Sequence, residues 1–407
     1  MNVNFAQTRG ASAILVYARR ELSMNMTSHM NVSLDTIQTS IIRQFGTLAK
    51  QTPGCLALTI GEPDFNTPEC IKDGAKAGLD ANLTHYPDAN GIPELRQAIS
   101  EYEAAHNDLH YDPDEIILTV GATEAVFASL FAILNPGDEV IIPTPAFGLY
   151  EAIVNLCRGK AVLLDTSHSD FQITRADLEA AITDRTRAIV LTSPNNPTGC
   201  VLTGETLDMI HDVLKDKPVF VLCDDVYRQL TYTPDYRSFS NFTDMRDRII
   251  VIQSFSKPYA MTGWRIGYLM ADRPVKLAIG KAHAYMITSI PAFVQPACIE
   301  ALKYDPKDML NAYRQRRDYV LARIEKMGLP VTKPEGAFYV FPDIREFRLD
   351  SSTFCHRMIT EGGLATVPGI AFGTEGFIRI SYCYSDAELA EAMDRMEAFI
   401  AKLRSER

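Results

Sequence analysis

The stretch Ser254–Tyr268, SFSKPYAMTGWRIGY, decides how this chain of 407 residues is read. Four aliphatic residues, Ile249 to Ile252, come before it and read as a buried strand. Lys257 follows, flanked by Ser254, Ser256 and Pro258, with Arg265 eight residues on. Lysines normally stay solvated. One that loses water has a lowered pKa and becomes a usable amine base or nucleophile. Small hydroxyls and an arginine beside it suit an anion, most simply a phosphate. An amine next to a phosphate site points to a Schiff base with pyridoxal phosphate. The same residues also fit a plainer arrangement, a lysine snorkelling from a strand end beside a surface arginine. Taken alone, the residues leave both open.

The stretch resembles the Schiff-base lysine motif of the class I aminotransferases, which are fold-type I pyridoxal phosphate enzymes. Pro258 stands where threonine or alanine is more usual. The resemblance runs from about Ser33 to the C-terminus, and the chain is similar to the bacterial aminotransferase A group. It implies an α/β fold: a large domain with a mostly parallel central sheet between helices, and a smaller α+β domain. The expected boundaries are an N-terminal extension over 1–30, a first piece of the small domain over 31–60, the large cofactor domain over 61–295 and the rest of the small domain over 296–407.

Composition agrees with an ordinary globular protein, at 46% hydrophobic and 22% charged residues. A net charge of −11 argues against a nucleic-acid footprint. Eight scattered cysteines with no CxxC pair argue for reduced thiols in the cytoplasm, and against a disulfide framework or a zinc site. No apolar run approaches the roughly 18 residues of a membrane span. Met1 to His29 holds Arg9, Arg19 and Arg20 but a single acid, Glu21. That composition fits a transit peptide. The preferred reading is a disordered extension, or upstream sequence ahead of a start at Met24, Met26 or Met30.

Working outward from the lysine, each neighbouring motif has a plain reading and one that the resemblance implies. Helical spacing of Ile37, Ile41, Phe45 and Leu48 predicts a helix over Ser33–Lys50. The segment LALTIGEPDFNTP, Leu56–Pro68, is a strand running into a turn. The resemblance makes Gly61 a backbone donor to the substrate carboxylate. In HYPDANGIPELR, His85–Arg96, it makes Tyr86 a residue that reaches the phosphate of a partner subunit, so the sites of a homodimer are composite. GATEA, Gly121–Ala125, follows a predicted strand over Glu115–Val120 and opens a helix whose free amides suit phosphate. The resemblance assigns Gly121, Ala122 and Thr123 to that cup, with Ser254, Ser256 and Arg265. Phe147, in PTPAFGLY, is either core or a ring stacked on the pyridine. SPNNPTG, Ser193–Gly199, is an irregular turn, and the resemblance has Asn196 donate to the cofactor's phenolic oxygen and line the substrate site. Val219–Cys223 ends at Asp224-Asp225-Val226-Tyr227. A buried acid needs a partner. The resemblance supplies one, placing Asp224 opposite the pyridine nitrogen and Tyr227 on the phenolic oxygen.

Toward the C-terminus, PEGAFYVFPD, Pro334–Asp343, resembles the family's small-domain segment, which implies that Phe338 lies near the substrate edge. FIRIS, Phe377–Ser381, puts Arg379 on a strand. An arginine on an alternating strand usually points outward, whereas the resemblance makes it the fork that holds the substrate α-carboxylate. Tyr313–Met327 and the tail from Asp386 read as helices. His106 and His110 lack the glutamate of HExxH, and no GxGxxG or GxSxG occurs in the right context, so no metal, dinucleotide or hydrolase motif is read.

The resemblance thus implies a transaminase that works through Lys257, with catalytic roles for Lys257, Asp224 and Tyr227. Its partners are an amino acid and a 2-oxo acid, with 2-oxoglutarate as acceptor and aromatic amino acids or N-acetyl-diaminopimelate as donors. Alternatives within the fold are a C–S lyase or a cyclopropane-forming synthase. A more distant one is a non-catalytic effector-binding module, which would carry a basic DNA-binding domain that this acidic chain lacks.

Overall fold

The computed structural model describes residues 29–37 and 39–406. Two compact units divide the chain, Met1–Ile37 and Gln38–Arg407. The expected extension over 1–30 falls almost wholly outside the described residues. The helix expected over Ser33–Lys50 is broken. A 3-10 turn spans Val32–Thr36, with the Asn31 side chain accepting from the Ser33 amide. The α-helix begins only at Ile41, where the Ser40 hydroxyl accepts from the Arg43 amide. Two hydroxyl or amide caps within ten residues outweigh the apolar spacing that runs through them.

The second unit is built on a seven-stranded sheet. Its strands are β2 (Ile116–Thr119), β3 (Glu139–Thr144), β4 (Lys160–Asp165), β5 (Thr186–Thr192), β6 (Phe220–Asp224), β7 (Ile249–Ser254) and β8 (Gly267–Ala271). The order across the sheet is β2-β8-β7-β6-β5-β3-β4. β3 to β7 pair in parallel, and β8 is antiparallel to both β7 and β2. β6, β7 and β8 are almost wholly apolar and buried on both faces, as a sheet covered by helices on each side requires. Separate cores fill the two faces. Ile189, Val221 and Val251 lie in one, and Val190, Leu222 and Ile250 in the other.

C-terminal residues form a third core around Phe338, Phe354 and Phe399. Short strands organise it: β9 (Tyr339–Val340), β11 (Val367–Pro368) and β12 (Ile378–Ser381) make one sheet in the order β11-β12-β9. β1 (Leu56–Ala57) pairs in parallel with β10 (Leu364–Ala365), so the segment before Gly61 is held by residues 308 positions later in the chain. The final helix, Asp386–Ser405, starts on a capping box between Ser385 and Glu388. Among the described residues no helix is long and apolar enough to cross a membrane.

Candidate active site

Strand direction gathers the site. Because β8 runs against both neighbours, β2 points the same way as β3 to β7. The carboxyl ends of β2, β5, β6 and β7 therefore share one edge with the amino end of β8. Ligands bind at that edge in open α/β sheets. The register is explicit, since Gly267 pairs with Thr119 on one side and Ser254 on the other. The turn after β2, the arginine before β8 and the serine ending β7 are thus neighbours in space.

At the first of these, Gly121 has φ +73°, and a Cβ there would lie 2.7 Å from Arg265 Nη2. Glycine is needed for the backbone conformation and for the close approach of the guanidinium. The helix Gly121–Ile133 starts here, so its first amides have no intrahelical acceptor. Arg265 is itself left-handed, φ 56°, and its Nη1 donates to the Thr262 carbonyl at 3.0 Å. Ser254 and Ser256 are buried, and the Ser254 hydroxyl accepts from the Ser256 amide at 3.1 Å. Free amides, hydroxyls and one guanidinium at a helix start form a cup for a phosphate.

Asp224 ends β6 and is buried. Its Oδ2 accepts from the Tyr150 hydroxyl at 2.6 Å, and Thr192 Oγ1 lies 2.9 Å from that hydroxyl. A carboxylate can only accept, so the tyrosine proton points at Asp224 and Thr192 donates in turn. No donor of normal geometry reaches Oδ1. Burial drives the Asp224 pKa up to about 6, opposed by the Tyr150 bond and the Val226 amide and reinforced by Asp225. Asp225 faces the other way. It pairs with Arg228 at 3.2 Å and accepts from Ser238 and Ser240. Only the first of the two adjacent acids belongs to the site.

Lys257 is partly buried and its Nζ donates to the Gly61 carbonyl at 2.6 Å. It lies 5.7 Å from the centroid of Phe338. Desolvation lowers its pKa to about 8, against the opposing fields of Cys383 and Glu62 and with help from Arg379 and Arg265. The snorkelling alternative is therefore set aside, since this amine turns inward onto a backbone carbonyl.

Arg379 is 2% exposed, not outward-facing. Nη1 donates to Asn196 Oδ1 at 3.0 Å and Nη2 to the Thr59 carbonyl at 2.5 Å. The guanidinium lies 4.7 Å from the Tyr339 ring centroid and 5.0 Å from that of Phe372. Its Nε has no partner, and no acid among the described residues pairs with it. A buried cation held only by neutral acceptors and ring faces wants an anion. Asn196 gives its oxygen to Arg379, which leaves its amide nitrogen as a donor. The Tyr227 hydroxyl shares a 2.8 Å hydrogen bond with that of Tyr339, and the Tyr227 ring packs edge-on against Phe338. A Cβ at Gly61 would overlap the Tyr339 hydroxyl, so that ring fixes glycine in the turn.

Some expected residues stand apart. Tyr86 is 86% exposed and Phe147 37% exposed. Among the described residues neither makes a hydrogen bond or ring contact with Lys257, Asp224 or Arg379. Thr123 is exposed at the first turn of its helix. Tyr150, Thr59 and Tyr339 were not legible as site residues. Tyr150 lies three residues past Phe147 in the same motif, and Tyr339 next to Phe338, but only the packing shows which ring does what.

The group these residues fit is pyridoxal phosphate. An unpartnered buried acid oxygen suits a protonated ring nitrogen, a weakly basic amine suits a carbonyl, and the cup suits a phosphate. The fold and this donor set define the class of fold-type I pyridoxal-phosphate enzymes.

Residues 53–396 match the family of aminotransferases of class I and II. The chain is 42% identical over 381 residues to a protein of Bacillus subtilis named a probable N-acetyl-LL-diaminopimelate aminotransferase, covering 92% of this chain and 96% of that protein. An aromatic aminotransferase structure from Pyrococcus horikoshii superposes with a TM-score of 0.84 at 39% identity, over 88% of this chain and 99% of that one. An aspartate aminotransferase structure from Thermotoga maritima superposes with a TM-score of 0.88 at 34% identity, over 91% and 100%. The chain belongs to the class I and II aminotransferases, as a pyridoxal-phosphate-dependent transaminase.

Proposed function

We propose that Lys257, Asp224, Tyr227, Asn196, Arg265 and Arg379 carry the transamination, and that the amino group passes to 2-oxoglutarate in a ping-pong sequence. Bound pyridoxal phosphate supplies the carbonyl that takes up the amino group and a ring that accepts electrons. The chain does the rest. Asp224 keeps the ring nitrogen protonated through its opposite charge. Tyr227 and the Asn196 amide donate to the phenolic oxygen. The cup at Gly121, Ala122, Thr123, Ser254, Ser256 and Arg265 holds the phosphate. Arg379 and the Gly61 amide grip the substrate carboxylate, with Phe338 bounding the site. Lys257 Nζ is the general base that takes the proton from Cα, and its fixed position raises its effective concentration.

The observation that carries this reading is Arg379. A guanidinium 2% exposed, with no acid pairing with it among the described residues, lies close enough to Lys257 to lower its pKa and donates to Asn196, whose amide this proposal sets on the phenolic oxygen. The large domain over 61–295, the small domain over 31–60 and 296–407, a cytoplasmic homodimer and a Tyr86 that reaches the partner's site belong to the same proposal. The marked exposure of Tyr86 supports the last. Donors follow the relatives' names: N-acetyl-LL-diaminopimelate, aromatic amino acids or aspartate. A panel of these with 2-oxoglutarate, read as glutamate formed, tests the proposal. Glutamate from at least one donor is expected, and none from any of them would overturn it.

A further inference from the structure

A buried imidazole lies behind the phosphate cup. His283, on the helix Arg273–Ile287, is 0% exposed. Its Nδ1 is 2.9 Å from Glu124 Oε1, and its Nε2 is 2.7 Å from the Ala89 carbonyl oxygen. Glu124 stands in the first turn of the helix that opens at Gly121, and its other oxygen accepts from the Val120 amide at 2.9 Å. His283 therefore joins two segments of the proposed site, the phosphate turn and the loop that carries Tyr86.

The hydrogen-bond count fixes the protons. A carbonyl cannot donate, so Nε2 must carry a hydrogen. The bond between Nδ1 and Oε1 needs a second one. Glu124 already accepts from the Val120 amide at its other oxygen, and as the acceptor in both bonds it leaves that proton on the ring. We infer that His283 is a positioning residue held as an imidazolium, a buried cation that clamps the turn at Gly121 to the loop 85–91 and so couples phosphate retention to its own protonation. Burial weakens the ring's basicity, but the bond and charge of Glu124 and the Ala89 carbonyl leave its pKa raised, against Lys276 two turns back on its own helix. The strands β2 and β8 against which this helix packs carry no charged side chain. Asp114 and Glu115, in the turn before β2, pair with Arg96 and Arg246.

The inference rests on the proposed phosphate site, and its test separates the two. Pyridoxamine 5′-phosphate has no carbonyl to bind Lys257, so its dissociation constant reports the cup without imine formation at that lysine. Wild-type protein that fails to bind it overturns the site itself. With binding established, His283→Gln should bind about tenfold more weakly at pH 6, and the two proteins should converge as pH rises through the His283 ionisation. That ionisation is followed by NMR of labelled histidine, and Glu124→Gln should shift it downward in a protein that keeps the ring. A singly protonated ring at pH 6, or a ratio of dissociation constants that ignores pH, overturns the inference.

Discussion

The Tyr150 hydroxyl donates to Asp224 Oδ2 at 2.6 Å and leaves Oδ1 of the same carboxylate buried without a partner. One oxygen is committed to Tyr150, and the other is the one that the proposed function sets against the ring nitrogen. Tyr150→Phe removes the donor while keeping the ring, so the Asp224 pKa should climb further and the acid should hold a protonated ring nitrogen less well. A charge-assisted bond contributes about 1.5–3 kcal/mol. The variant should therefore lose roughly tenfold or more in cofactor affinity, measured by titrating cofactor-free protein. Unchanged affinity would remove Tyr150 from the site.

The same acid makes a prediction about stability. Its folded pKa of about 6 exceeds the ordinary value of 3.8, because burial disfavours the charge. A carboxyl raised on folding favours the folded state at low pH. That advantage fades between about pH 4 and pH 6, and above this range the buried charge costs roughly 3 kcal/mol. Cofactor-free Asp224→Asn should therefore resist urea better than cofactor-free wild type at pH 8, with the difference vanishing below about pH 4. It should also bind the cofactor poorly. A variant less stable than wild type at pH 8 would contradict this account of the carboxylate.

Lys257 gives a kinetic test. Only the free amine can attack a carbonyl, and burial brings this amine's pKa down from 10.5 to about 8. The rate at which cofactor-free protein takes up pyridoxal phosphate should rise with pH and level off just above pH 8. A rate still climbing in proportion to hydroxide near pH 10 would mean an ordinary, solvated lysine.

Arg379→Lys keeps a positive charge but loses the planar fork and its contacts to Asn196 and Thr59. The half-saturating amino acid concentration should rise about a hundredfold, which corresponds to roughly 2.7 kcal/mol. The cofactor's dissociation constant should change far less. Equal losses in both would place Arg379 on the cofactor instead of the substrate.

The sheet was legible because its strands are near-continuous aliphatic runs closed by turn residues. Ile249–Ile252 and Val219–Cys223 each lead straight to a side chain of the proposed site, and both strands form where the pattern puts them. The site was legible only as a set of separate motifs. Register unites them, and register depends on pairings such as Thr119 with Gly267 that no local pattern encodes. Arg379 illustrates the gap. On an alternating strand it reads as a surface residue, and only long-range packing of Tyr339, Phe372 and Asn196 around it shows a buried fork. The break before Ile41 is hidden for the opposite reason, since a local cap at Ser40 outweighs apolar spacing that continues through it.

Borohydride treatment of the pyridoxal-phosphate-loaded protein, followed by peptide mass mapping, bears most directly on the lysine. The account predicts one phosphopyridoxyl group per chain, fixed on the peptide that contains Lys257. A group fixed on a different lysine, or a loaded protein that takes up no label, would contradict it.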